Sequence, residues 1–331
     1  MKLNLHSHLE GRLRPSTAAA LAAEAGVPPP NGGWERALQL DDPANLTVYL
    51  SKVAATYPFF RTPAHIARIA CEAVEDAAAD GTDYLELRFG PATHVHMSFD
   101  MDSMMAAVCD GIAEGMTRTS IHAGVVIAAL RHHDEATNIA VARAACRFAK
   151  KGIAGFDLAG DESLFNDLSQ YEKPFAIARA AGLGLTCHAA EAAPGSAARE
   201  AVERFGVTRI GHGAHLAEDI ESLQWIRDRG VVVECCPTSN WYTGAIARRS
   251  DHPAKYFHSQ DLKIVLGDDN PMQTKSQLSN ERRVLIDELG FSEQDLQELD
   301  NTSVHAAFVE DARRREFVSR LIQGKTGMDE R

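Results

Sequence analysis

Eight short apolar runs alternate with alanine-rich segments of helical spacing along the 331 residues, and that alternation predicts an α/β fold, a (β/α)8 TIM barrel. Two further observations support it. Several of the runs, such as 124–130 and 231–236, are nearly continuously apolar rather than alternating, as parallel strands covered on both faces require. Histidines and aspartates also gather at the C-terminal ends of the runs, where such a barrel carries its active site. A doubly wound open sheet competes, but no G-x-G-x-x-G follows any run and no G-x-x-x-x-G-K-[ST] occurs.

The first strand is expected at 3–8 and the second at 84–89, followed by strands at 124–130, 153–158, 183–188, 208–212, 231–236 and 263–266. Between them the spacing predicts helices over 63–80, 102–117, 136–150, 171–181, 197–205 and 216–229. The stretch Pro28-Pro29-Pro30-Asn31-Gly32-Gly33 reads as a loop after an initial helix. No repeat, charge block or low-complexity linker interrupts the pattern, so one domain over 1–331 is expected.

The chain carries 34 Lys+Arg against 46 Asp+Glu, a net charge of −12. That excess argues against a general nucleic-acid binder, which needs a basic face to displace phosphate counterions, but leaves small purine ligands open. The longest apolar run, around 125–130, falls far short of the roughly 20 residues of a spanning helix, so no membrane association is expected. The opening Met1-Lys2-Leu3-Asn4-Leu5-His6 has no signal-peptide pattern, and six cysteines are too sparse for a disulfide scaffold. Reduced core thiols and a cytoplasmic location follow as expectations.

His6-Ser7-His8 closes the first expected strand, His188 the fifth, His212 the sixth and Asp268-Asp269 the eighth. Residues i and i+2 of a strand share a face, so His6 and His8 can both point inward. Two imidazoles, a third from a distant strand and one carboxylate form a donor set suited to zinc with a position left open for water. Alone, an H-x-H is more often a pair of core or surface histidines, and it also opens other metal-dependent barrel hydrolases. In His188-Ala189-Ala190-Glu191 the spacing puts Glu191 just past the strand end, near the metal yet free to carry a proton. The competing reading of Glu191, and the lesser one even when it is taken alone, is a solvated helix-start carboxylate. With the metal set and His212 one strand on, which can orient or deprotonate a metal-bound water, it describes hydrolytic deamination or a related hydrolysis.

These segments carry a family resemblance. His6-Ser7-His8-Leu9-Glu10-Gly11, Asp157-Leu158-Ala159-Gly160-Asp161-Glu162, His188-Ala189-Ala190-Glu191, Arg209-Ile210-Gly211-His212-Gly213, Cys236-Pro237-Thr238-Ser239-Asn240 and Asp269-Asn270-Pro271 resemble the adenosine deaminase family, in its order, over most of the chain. The resemblance implies that His6, His8, His188 and an aspartate after the eighth strand bind zinc. Glu191 would protonate purine N1, His212 would hold the attacking hydroxide, the Gly160 N–H would meet N3, and the residue after the metal aspartate would meet N7.

The chain departs from the family pattern in three places. Where the family usually reads Ser/Thr-Asp-Asp-Pro, this chain reads Gly267-Asp268-Asp269-Asn270-Pro271. Counting from the strand makes Asp268 the ligand, whereas a gapless match on Pro271 makes it Asp269 with Asn270 at N7, the assignment adopted here. Ala190 stands where H-A-G-E has glycine, which matters only if that turn needs a positive φ. Glu10 stands where adenosine-specific members often carry Asp, and its longer arm meets a ribose 5′ group or fills part of the ribose space. Thr243-Gly244-Ala245, in contrast, is similar to the nucleoside enzymes.

Tyr57-Pro58-Phe59-Phe60 reads equally as an apolar lid or as core, and Trp241-Tyr242 as a ribose-side wall or packing. Arg131-His132-His133 can support the site, though His132 and His133 read equally as surface histidines; Cys235-Cys236 reads as strand-end packing. His94 and His96 read as loop residues. The expected activity is zinc-dependent deamination of adenosine or deoxyadenosine, with a purine nucleoside or base as partner and the oligomeric state open. Adenine, or a 5′-modified adenosine such as aminodeoxyfutalosine, is the alternative substrate. A non-catalytic purine-binding relative predicts zinc without ammonia release. A phosphoesterase predicts phosphate release and leaves the His188–Glu191 spacing unexplained.

Overall fold

Eight parallel strands pair in strict chain order in the computed structural model, which describes residues 1–95 and 99–329. They are β1 (Leu3–His8), β2 (Tyr84–Phe89), β3 (His122–Leu130) and β4 (Ile153–Ala159), then β5 (Gly184–Ala189), β6 (Arg209–His212), β7 (Val232–Cys235) and β8 (Ile264–Leu266). β3 starts two residues before the expected 124, because His122 and Ala123 still pair with Tyr84 and Leu85. The chain closes on itself through Asp269, whose N–H donates to His6 O at 2.9 Å and whose carbonyl accepts from the His8 N–H at 2.7 Å. This is the (β/α)8 barrel that the alternation predicted.

The crossover helices form where apolar positions recur on one face, and polar residues start several of them. Thr62, Asp100, Asp134 and Asp219 each accept a first-turn backbone N–H, for the helices Pro63–Ala79, Met101–Arg118, Glu135–Phe148 and Ile220–Asp228. Their apolar faces pack on the outward side chains of the strands, such as Leu85, Leu87 and Phe89 of β2. The inward side chains differ: Glu86, Arg88, Asp157, Arg209 and Glu234 are fully buried in the barrel. Phe308 seals the N-terminal end, so close to β5 that a Cβ on Gly184 would lie 2.1 Å from its ring. All six thiols are free, and among the described residues no helix is long and apolar enough to cross a membrane.

Candidate active site

The C-terminal strand ends turn sharply. Ala190 after β5, His212 ending β6 and Asp269 after β8 have φ of 56°, 65° and 56°, a left-handed conformation that costs a non-glycine residue about 1 kcal/mol or more. The turn at Ala190 therefore does use the positive φ that a glycine would adopt more easily. A Cβ on Gly267 would lie 2.4 Å from His6 Cβ, so only glycine lets the end of β8 lie against β1 and carry Asp269 over the barrel.

His6, His8, His188 and Asp269 converge there, each offering one donor atom within 4.8 Å of the others. His8 Nε2 is 3.1 Å from His188 Nε2 and 3.3 Å from Asp269 Oδ1. His6 Nδ1 donates to Glu234 Oε2 at 2.7 Å, and His188 Nδ1 lies 2.9 Å from Asp157 Oδ2. Both contacts place the ring proton on Nδ1 and turn the Nε2 lone pair toward the centre. His6 Nε2 is buried without a hydrogen-bond partner. Converging lone pairs beside a carboxylate repel one another unless a cation sits between them, so the set fits a divalent metal with N and O ligands. Asp269 Oδ2 accepts from Tyr49 Oη at 2.7 Å and Ser239 Oγ at 2.5 Å, leaving Oδ1 for the centre. Asp268 points away and pairs with the buried Arg12.

Beneath the imidazoles, Arg88 donates to Asp157 at 2.9 Å, to Leu5 O at 2.7 Å and to Glu234, which Arg209 also engages. Burial opposes ionisation of Glu234, but Arg88, Arg209 and His6 hold its pKa well below the usual carboxylate range. Asp157 is held low in the same way, by His188 and Arg88 against its burial.

Glu191 stands beside the set and is buried. Burial and the Asp269 carboxylate push its pKa up to about 8 against the pull of His188, so in the absence of a cation it holds a proton at neutral pH. Glu162 Oε2 accepts the backbone N–H groups of Glu191, Ala192 and Ala193 at 2.9, 3.0 and 3.2 Å, fixing the turn that carries Glu191. Arg131 ties this turn to β5 by donating to Glu162 at 3.2 Å and to His188 O at 2.8 Å. His212 Nε2 is 3.6 Å from Glu191 Oε2, and burial lowers the His212 pKa well below its ordinary value, keeping the ring neutral.

A cavity of about 260 Å³ opens onto these groups. Gly160, Asn270 and Glu10 line it with His8, His188, Glu191, His212 and Asp269, so every candidate site residue except the buried His6 faces it. Among the described residues no Lys or Arg does. Its lid is Leu46, Leu50 and Val53 of the helix Leu46–Ala54, with Tyr57 and Phe165. Phe59 and Phe60 belong to the core instead. Trp241 and Tyr242 pack behind the lid helix with Leu40, Tyr49 and Val53 rather than lining the cavity.

His94 does lie in the link after β2, in a short turn over Pro91–His94, but it is not a bystander there. It is buried, stacks on Phe60 and Phe89, and approaches Glu10 Oε1 at 3.3 Å, where the Gly90 N–H also donates at 3.1 Å. His96 lies outside the described residues. The sequence reading also gave no role to Tyr49, Glu162, Arg88, Glu234 or Asn240. A charge inside an otherwise apolar strand, as at Glu86-Leu87-Arg88 or Glu234, was the available signal, since a buried charge needs a partner.

The fold and site define a metal-dependent hydrolase of the barrel type. Comparison with known proteins narrows the class. The adenosine deaminase family model matches residues 1–324. An adenosine deaminase of Clostridium perfringens is 30% identical over 311 residues, 93% of each chain. Adenine deaminase from Arthrobacter aurescens superposes with a TM-score of 0.90 at 25% identity, over 98% of this chain and 99% of that one. A zinc-bound amidohydrolase from Burkholderia ambifaria has a TM-score of 0.89 at 23% identity, covering 99% of this chain and 91% of the other, which shows the shared fold. The chain belongs to the adenosine deaminase family and is a metal-dependent aminohydrolase.

Proposed function

We propose that the cavity takes an uncharged 6-aminopurine and exchanges its amino group for oxygen from water, releasing ammonia, with adenosine or deoxyadenosine as substrate. The observation that carries this reading is a buried Glu191 beside the His6, His8, His188 and Asp269 set, with His212 Nε2 3.6 Å from its carboxyl. Zinc held by those four residues would supply a Lewis acid that lowers the pKa of water to about 7.

Glu191 gives its proton to ring N1, which makes C6 electron-poor. His212 holds the water oxygen that adds to C6. One of that water's protons returns to the Glu191 carboxylate and the other passes to N6, so that the C6–N6 bond breaks as neutral ammonia leaves and N1 keeps its proton. The Gly160 N–H meets N3 and the Asn270 side chain meets N7, placing C6 over the imidazole set. With the carboxylates Glu10 and Asp161 on the wall and no Lys or Arg among the described lining residues, a phosphate finds no side-chain ammonium or guanidinium to pair with. The Glu10–His94 contact at the cavity wall favours a second reading, adenine or a 5′-modified adenosine, because it fixes the longer glutamate arm where it would fill part of the ribose space or meet a 5′ group. A cytoplasmic role in purine metabolism agrees with these ligands.

Glu191→Gln tests the assignment. It is expected to keep its metal and lose about 10²- to 10⁴-fold in turnover, since a proton donor is removed and no ligand is. Ammonia release within a few-fold of the wild type would refute it.

A further inference from the structure

We infer that His252 is a positioning residue for the deamination proposed above, locking the Asn240 amide in the orientation that leaves His212 with its proton on Nε2, toward the cavity. His252 lies outside the cavity wall, in the link to the helix Ala254–Ser259, and is buried.

One group in this chain of contacts has no choice of role. The Ala254 backbone N–H can only donate, and it donates to His252 Nδ1 at 3.2 Å. Burial lowers the His252 pKa to about 3, so the ring is neutral and its single proton must sit on Nε2. That N–H donates to Asn240 Oδ1 at 3.2 Å. The carbonyl end of the Asn240 amide is thereby fixed, and the NH2 end faces the site. It lies 3.1 Å from His212 Nδ1 and 3.4 Å from Glu191 Oε1. His212 Nδ1 must then accept, which puts the ring proton on Nε2.

In this state His212 donates to the oxygen at C6 and does not remove a proton through Nε2. The same amide restrains the carboxyl of Glu191, so one side chain orients both groups. Without the His252 anchor the amide can turn over. Its oxygen would then face His212 Nδ1 and select the opposite tautomer, while a lone pair would confront Glu191 Oε1.

His252→Leu removes the anchor, and His252→Gln keeps an N–H donor near the place of Nε2. The leucine variant is expected to lose on the order of tenfold or more in kcat with KM and metal content unchanged, and glutamine to restore most of it. A leucine variant of wild-type turnover, or a glutamine variant as impaired as the leucine one, would overturn the inference. ¹⁵N-histidine NMR of the zinc-loaded protein reads the tautomer directly, with the His212 signal assigned by its loss in His212→Asn. The wild type is expected to show a proton on His212 Nε2, and a proton on Nδ1 would overturn the inference whatever the variants do. A wild type silent on every aminopurine would refute the deamination reading, while the His212 tautomer would still decide this one.

Discussion

Replacing Arg88 by methionine tests whether the buried charges under the site hold it together. The guanidinium is fully buried and bridges Asp157, Glu234 and Leu5 O. Removing one member of a buried ion pair costs about 3–5 kcal/mol, and an abandoned backbone carbonyl about 1–3 more. The carboxylates keep His188 and Arg209 as partners, and methionine fills much of the volume, so a net loss of about 4 kcal/mol is expected. With an unfolding entropy of roughly 2.1 cal/mol/K per residue over 331 residues, that lowers Tm by about 6 °C.

The loss has a defined pH dependence. Asp157 and Glu234 have lowered pKa values in the folded protein, so their contribution is present above the unfolded carboxylate value and disappears as pH falls through the folded one. The gap between variant and wild type should therefore be widest near neutrality and narrow in acid. Because Asp157 and Glu234 orient His188 and His6, metal affinity should also fall about 10- to 100-fold. Thermal unfolding at two pH values and a competitive chelator titration measure both. A variant melting within a degree of the wild type and binding metal equally well would show that the buried Arg88 network does not support the site.

The remaining predictions concern the metal aspartate, a buried acid behind the site and a close contact. Asp269→Ala should lose metal, whereas Asp268→Ala should keep it and lose about 3–5 kcal/mol by stranding Arg12, as metal analysis and denaturant unfolding would show. Glu281 is buried with a pKa raised to about 7, so the folded state holds a proton that the unfolded chain has released. Stability should then fall by up to about 3 kcal/mol as pH rises from 4.5 to 7, and urea unfolding of Glu281→Gln should show that slope flattened. A Cβ on Gly11 would lie 2.3 Å from Asn270 Oδ1, so Gly11→Ala should raise KM more than it lowers metal content.

How legible the site was depends on how local its cause is. His6 and His8 share a strand face, and Glu191 follows His188 across one turn, so spacing alone brought them near a common centre. The choice of Asp269 over Asp268 depended on the motif match at Pro271, and in the structure their different partners separate them. What was not legible depends on contacts between distant segments. Tyr49 reaches Asp269 from the lid helix, Glu162 holds a turn on the next strand, and His252 acts through Asn240. His94 read as a loop residue because nothing in the sequence shows that the chain folds it back past Pro91 onto Phe89 and the distant Phe60. Strand order and barrel closure followed from the alternation; the charged interior did not, because the motifs containing Asp157 and Arg209 suggested no partners across the barrel.

The most direct measurement is ammonia release by the zinc-loaded protein from adenosine, 2′-deoxyadenosine, adenine, a 5′-substituted adenosine and adenosine 5′-monophosphate in parallel. Turnover of at least one uncharged aminopurine is expected, adenosine or deoxyadenosine foremost, and little of the monophosphate. Turnover confined to the monophosphate, or none on all five, would contradict the proposed function.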